Sequence, residues 1–151
     1  MWIAAFDPHD RFHDASRDFL AAALEQGLSF TGPAFVLVEV ACAVARRAQD
    51  ARAGRTAYDE LLANPRLALE PLTPAFLSTA ARLGTDLFLR SGDALYAAAA
   101  ERTRAPLVSW DDELLRRAGA VTPATWLGAP HPALPRGAGS GGIRGGQSWP
   151  P

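Results

Sequence analysis

The sequence contains no lysine; all 15 of its basic side chains are arginine. A phosphoacceptor site built from strand-end acids and a partner lysine is therefore excluded. Cysteine is nearly absent as well. With Cys42 alone, no disulfide can form within the chain, which fits a reducing, cytoplasmic setting. Cys42 lies in an apolar run and is expected to be a small buried hydrophobe. No apolar stretch is long enough to span a bilayer, and the first residues lack the pattern of a secretion signal, so no membrane role is expected. No phosphate-binding P-loop and no GxGxxG fingerprint occurs, and Cys42, His9, His13 and His131 are too scattered for a zinc set. Excess charge is also missing. A net charge of −1 argues against a broad basic surface for nucleic acid, but it leaves room for a local basic rim.

What is present is a globular composition, 48% hydrophobic, in a length suited to one domain. The body is expected over residues 1–127. Residues 128–151 read GAPHPALPRGAGSGGIRGGQSWPP, where glycine and proline dominate and apolar periodicity stops. That tail cannot bury enough surface to offset its ordering entropy and is expected to be disordered, either a bland extension or a carrier of a short recognition motif around Trp149.

Within the body, residues 14–26 carry Ala15, Phe19, Ala22 and Ala23 at helical spacing and stop at Gly27. Short strands are expected at 29–31, 67–69, 106–110 and 121–123. Helices are expected at 33–49, 56–63, 73–89, 93–102 and 111–117, with Thr73 and Pro74 as cap and first position of the third. This alternation predicts an α/β fold, a central parallel sheet flanked by helices in three layers, α/β/α.

Three acids interrupt apolar sequence. Glu39 is the single charge in FVLVEVACAVA, residues 35–45. Burying it unpaired would cost several kcal/mol, so it is either half-exposed or faces a cation or basic partner. Asp93 is the single acid of GDALYAAAA, residues 92–100, and serves either the helix dipole or a site. Asp111 follows directly on the apolar segment of LVSWDDEL, at the carboxyl end of an expected strand, where α/β folds gather ligands; the alternative is helix capping by Ser109 or Asp111. Together the three would make a hard-oxygen site suited to Mg²⁺ or Mn²⁺. Arg46, Arg47 and Arg90 are candidates for flanking phosphates or are solvated helix faces. Trp110 either stacks a base or packs over the sheet edge. His13 reads as a helix-start surface or cap residue.

The order and surroundings of these acids resemble the PIN domain, in particular VapC-type toxins of bacterial toxin–antitoxin pairs. The resemblance covers residues 2–127. It is carried by LRSGDALYAAAA (residues 89–100), PLVSWDDEL (106–114), the helix segment LVEV (37–40), His13 with Ala15, the helix 73–89 and the closing VTPATWL. It implies a metal-dependent endoribonuclease, a hydrolase using Mg²⁺ or Mn²⁺ on RNA, with a cognate antitoxin as partner and a homodimeric state. Glu39, Asp93 and Asp111 carry over as metal-site acids. Asp112 is the neighbour if the match slips by one, and Ser109 is an orienting hydroxyl. The family's first strand normally ends in an aspartate ahead of an apolar helix start, and MWIAAF resembles that helix start. Asp7 and Asp10 follow it and are poor substitutes. Two readings stand: the true start lies several residues upstream and encodes the strand, or the chain is a truncated, inactive PIN-like module that dimerises or binds an antitoxin. Without that strand the fold is expected to be less stable than its relatives.

Overall fold

The computed structural model describes residues 1–129. The expectation for the Gly/Pro-rich tail, with His131 and Trp149, falls almost wholly outside those residues; Gly128 closes the last helix.

Helix α1 (Trp2–Phe6) buries Trp2, Ala4 and Ala5, and α2 (His13–Glu25) follows it. The buried stripe of α2 is Ser16, Phe19, Leu20 and Ala23, while Ala15 is exposed. That stripe lies a residue round from the one expected, because Leu20 is the larger apolar group. Strand β1 (Phe30–Pro33) pairs in parallel with β2 (Leu67–Glu70), in the register Phe30 with Leu67 and Pro33 with Glu70. Among the described residues these are the two strands of the one sheet. The expected strands at 106–110 and 121–123 form only an isolated parallel bridge between Val108 and Val121. Two hydrogen bonds hold it, Ser109 N to Val121 O at 3.0 Å and Val121 N to Leu107 O at 2.9 Å. The other edge of β1 has no partner strand among the described residues.

Between the strands run α3 (Phe35–Ala48) and α4 (Ala51–Leu62). The apolar run of α3 turns Val36, Leu37, Val40, Ala43 and Val44 inward, the i, i+4, i+7 and i+8 stripe of a core-facing helix. This corrects the expectation for Cys42. It is exposed, on the outer face one turn beyond Val38 and one turn before the exposed Arg46, because only the opposite stripe of the helix reaches the core. Helix α4 begins five residues before its expected start, capped by Asp50, whose Oδ1 accepts from Arg52 N at 2.8 Å.

Helix α5 (Pro74–Asp86) starts as expected, with Thr73 Oγ1 accepting from Phe76 N at 3.2 Å, and packs along α6 (Ser91–Thr103). Phe76, Ala80, Ala94, Ala98 and Ala99 form a small second core there, beside the main core of α1 to α4 and the sheet. A short α7 (Asp112–Arg117) follows. An unforeseen α8 (Pro123–Gly128), capped by Thr122, lays Trp126 edge-on to Phe19. Helices around a small parallel sheet give the α/β class expected.

Candidate functional site

Helix α3 delivers Glu39, the first turn of α6 delivers Asp93, and the residue capping α7 is Asp111. The three come from separate elements and line one cleft of about 520 Å³. The cleft also takes in the β1 residues Phe30 and Thr31 and the bridge segment Leu107 to Asp111, so it runs from the unpaired side of β1 to the segment that carries Asp111.

Each acid is held differently. Glu39 is half-buried, and Tyr96 donates its hydroxyl to Glu39 Oε2 at 2.5 Å. Burial, the Glu39 charge and this bond push the Tyr96 phenol far above its ordinary range, so it stays a donor. Gly92, in the same first turn of α6, also faces this carboxylate: a Cβ there would stand at ordinary van der Waals distance, 3.8 Å from Glu39 Oε1 and 3.7 Å from the Phe35 ring. Asp111 Oδ1 accepts from Glu113 N at 2.7 Å and Leu114 N at 3.3 Å, the cap of α7, while Oδ2 has no hydrogen-bond partner among the described residues. The buried Ser109 fixes that turn, its Oγ accepting from Asp111 N at 3.0 Å. Asp93 has neither a hydrogen bond nor an ion pair among the described residues. Burial raises its carboxyl above the ordinary value, and Asp111, Glu113 and Glu39 add to the shift against Arg90.

Asp112 is exposed and does not line the cleft. Sequence reasoning passes over Tyr96 and Glu113 as site residues and sets Asp10 aside as a poor substitute for the absent first aspartate. Tyr96 stands three residues past Asp93, one helical turn on, and that spacing was the available signal. Asp10 lines the cleft, and with Asp7 it is tied to Arg47 at 2.8 and 2.7 Å. The bond to Arg47 leads in holding Asp7 below its usual range. Burial works to raise Asp10, but Arg47 and the Phe12 N–H outweigh it. The Met1 amino group is buried at the cleft. Burial lowers its pKa, against the pull of Glu39, Asp10 and Asp111.

The candidate phosphate partners are already engaged in two cases, Arg47 as above and Arg90 with Glu113 at 3.3 Å; Arg46 is exposed in the last turn of α3. Trp110 packs: its Nε1 donates to Ser16 Oγ at 2.8 Å and its ring lies parallel on Phe12 at 4.4 Å. His13 opens α2 and donates from Nδ1 to Ala4 O at 2.9 Å; His9 is exposed.

The donor set is all carboxylate, the chemistry of a hard divalent cation, and one carboxylate in it is unpartnered and crowded by its own sign. In that sense the residues fit Mg²⁺ or Mn²⁺. No group of three or more His, Cys, Asp or Glu side chains is preassembled around one metal position among the described residues. No helix of the described residues is long and apolar enough to cross a membrane.

The family model of the PIN domain matches residues 1–120, well over half the chain. The chain belongs to the PIN domain family, and its helix-rich α/β structure with a parallel two-strand sheet is consistent with that family's three-layer α/β/α fold. PIN domains are in general metal-dependent nucleases that act on RNA. No curated protein matches the chain significantly.

Proposed function

We propose that the protein is a Mg²⁺- or Mn²⁺-dependent endoribonuclease and the toxin of a VapC-type toxin–antitoxin pair. The observation that carries this reading is the convergence of Glu39, Asp93 and Asp111 on one cleft from three separate elements. Asp93 and the free oxygen of Asp111 would hold the ion, directly or through water. A divalent ion bound there supplies charge neutralisation at the scissile phosphate and a more acidic water. Glu39, oriented by Tyr96, accepts a hydrogen bond from the attacking water and aims it at phosphorus. A P–O bond forms to the water oxygen as the bond to the leaving oxygen breaks. Ser109 keeps Asp111 in place through its backbone.

The test is incubation of the purified chain with structured and single-stranded RNA, with Mg²⁺, with Mn²⁺ and with EDTA. Cleavage that appears with the ion and vanishes with EDTA supports the nuclease; intact RNA under all three conditions rejects it. The toxin reading adds a second expectation, a short neighbouring reading frame with a DNA-binding pattern whose product binds this chain and relieves its toxicity. A homodimer is expected on the same grounds and is read by light scattering.

One observation favours a second reading: the acids are not preassembled around one metal position among the described residues. On that reading the chain is an inactive PIN-like module whose carboxylates receive an arginine of an antitoxin in place of an ion. Antitoxin binding without any metal-dependent cleavage would select it.

Tyr96→Phe separates positioning from folding. Loss of the hydroxyl frees Glu39 to swing, and cleavage should fall by roughly 10- to 100-fold, the usual effect of losing an outer hydrogen-bond partner of a metal site. Circular dichroism should stay that of the parent. Cleavage rates of the variant within twofold of the parent would remove Tyr96 from the site.

A further inference from the structure

Three residues other than glycine have left-handed backbones among those described, and each closes a helix. Gln49 and Arg104 are polar. The third, Phe88, has φ +54° and lies just past α5, where Leu89 N bonds back to Gly84 O at 2.9 Å. That wrapped helix end favours glycine, since an L side chain is strained there. Burial does not account for the phenylalanine. Phe88 is 78% exposed, more than any other large hydrophobic residue among those described.

Its surroundings are specific. Arg117 donates to the Phe88 carbonyl oxygen, which fixes the strained turn to α7. Arg117 also approaches Glu113 Oε1 at 3.7 Å, and Arg90 approaches Glu113 Oε2 at 3.3 Å. Two guanidinium groups thus share one carboxylate, and the group keeps a net positive charge. The Arg90 side chain is 77% exposed and stands three residues before Asp93. An open aromatic ring therefore stands two residues before Arg90, on a turn whose backbone is tied to Arg117, in the segment that leads into the helix carrying Asp93.

Single-stranded RNA alternates unpaired bases with phosphates, and proteins receive it by stacking bases on aromatic rings and pairing phosphates with arginine. A duplex offers no free base face to an exposed ring. We infer that Phe88, with Arg90 and Arg117, forms a subsite that stacks one unpaired base of single-stranded RNA, pairs its flanking phosphates and leads the strand to Asp93. This inference rests on the nuclease reading and adds to it the part of the substrate that is gripped.

The test is fluorescence anisotropy with a fluorescein-labelled single-stranded oligoribonucleotide in EDTA, so that binding is read without cleavage. Phe88→Gly should weaken binding roughly tenfold, within the effect of losing one base–aromatic stack. The same variant should melt higher than the parent, because glycine relieves the left-handed backbone. Lower affinity with higher Tm cannot come from a damaged fold. Phe88→Trp should keep parental affinity, and Arg90→Gln should reduce the slope of log affinity against log salt by about one. Equal affinity of parent and Phe88→Gly overturns the inference, as does self-association of the parent that Phe88→Gly abolishes while RNA affinity holds. If the parent cleaves RNA with Mg²⁺ yet Phe88→Gly binds as the parent does, this subsite alone fails. If the parent neither binds nor cleaves, the nuclease reading falls with it.

Discussion

Asp93→Asn is expected to abolish metal-dependent RNA cleavage, by on the order of a thousandfold, the scale of losing one electrostatic anchor of a transition state, while the variant melts no lower than the parent at neutral pH. The two halves of this result come from one feature. Asp93 has no hydrogen-bonding partner among the described residues and faces Asp111, Glu113 and Glu39. Burial first, and those charges next, raise its carboxyl above the ordinary 3.8. The folded chain therefore holds this proton more tightly than the unfolded chain. The contribution to stability is full below the ordinary value and is lost as pH rises through it to the folded one. At pH 7 the charge opposes folding in the metal-free chain, and the neutral amide removes that opposition. Asp111 gives the contrasting case. Its Oδ1 caps α7, so Asp111→Ala should lose activity and about 1 kcal/mol of stability, whereas Asp111→Asn keeps an accepting oxygen and the cap. Cleavage assays and thermal melts on the three variants read all of this. Asp93→Asn cleaving at the parental rate, or Asp111→Asn melting as low as Asp111→Ala, would break the account.

The legible part of this fold was the part written by local rules. Thr73-Pro74 announced α5, and the structure has Thr73 as its cap. The same signal at Thr122-Pro123, inside the strand expected at 121–123, opens α8, with Thr122 Oγ1 accepting from Thr125 N at 3.1 Å. Strand pairing was less legible, because a segment such as 106–110 becomes a strand only when a neighbour pairs with it along its length. Cys42 shows the limit of equating an apolar run with burial: it shares the outer face of α3 with Val38 and Arg46, one turn to either side, and not the covered stripe. At the site, the three acids were legible because each broke an apolar run. Tyr96, which holds Glu39, was not, since a tyrosine in an alanine-rich helix looks like core. Whether Asp111 or Asp112 would turn to the cleft depended on which residue capped α7, and the hydrogen bonds of Asp111 decide that.

Gly54→Ala should be among the most damaging single substitutions outside the cleft. Read from the sequence, Gly54 lies in a loop ahead of a helix beginning at 56, and alanine there would be neutral. Read as the interior helical residue it is, alanine should stabilise by up to about 1 kcal/mol through propensity. Packing reverses both signs. A Cβ on Gly54 would stand 2.5 Å from the Ala41 carbonyl oxygen and 2.7 Å from Ala45 Cβ, and neither atom belongs to a side chain that can rotate away. Helices α3 and α4 would have to part. Overpacking of this kind costs about 1–3 kcal/mol or more, a fall of roughly 5–15 °C in Tm for a domain of this size. Trimming Ala45 to glycine should not restore it, because the shorter contact is to backbone. The displacement also reaches the cleft. Ala41 and Glu39 share α3, so a shifted α3 carries Glu39 away from Tyr96, and activity should fall further than stability alone requires. A parental or higher Tm for Gly54→Ala would show that the two helices do not meet closely at this point, and the placement of Glu39 that depends on their contact would fail with it.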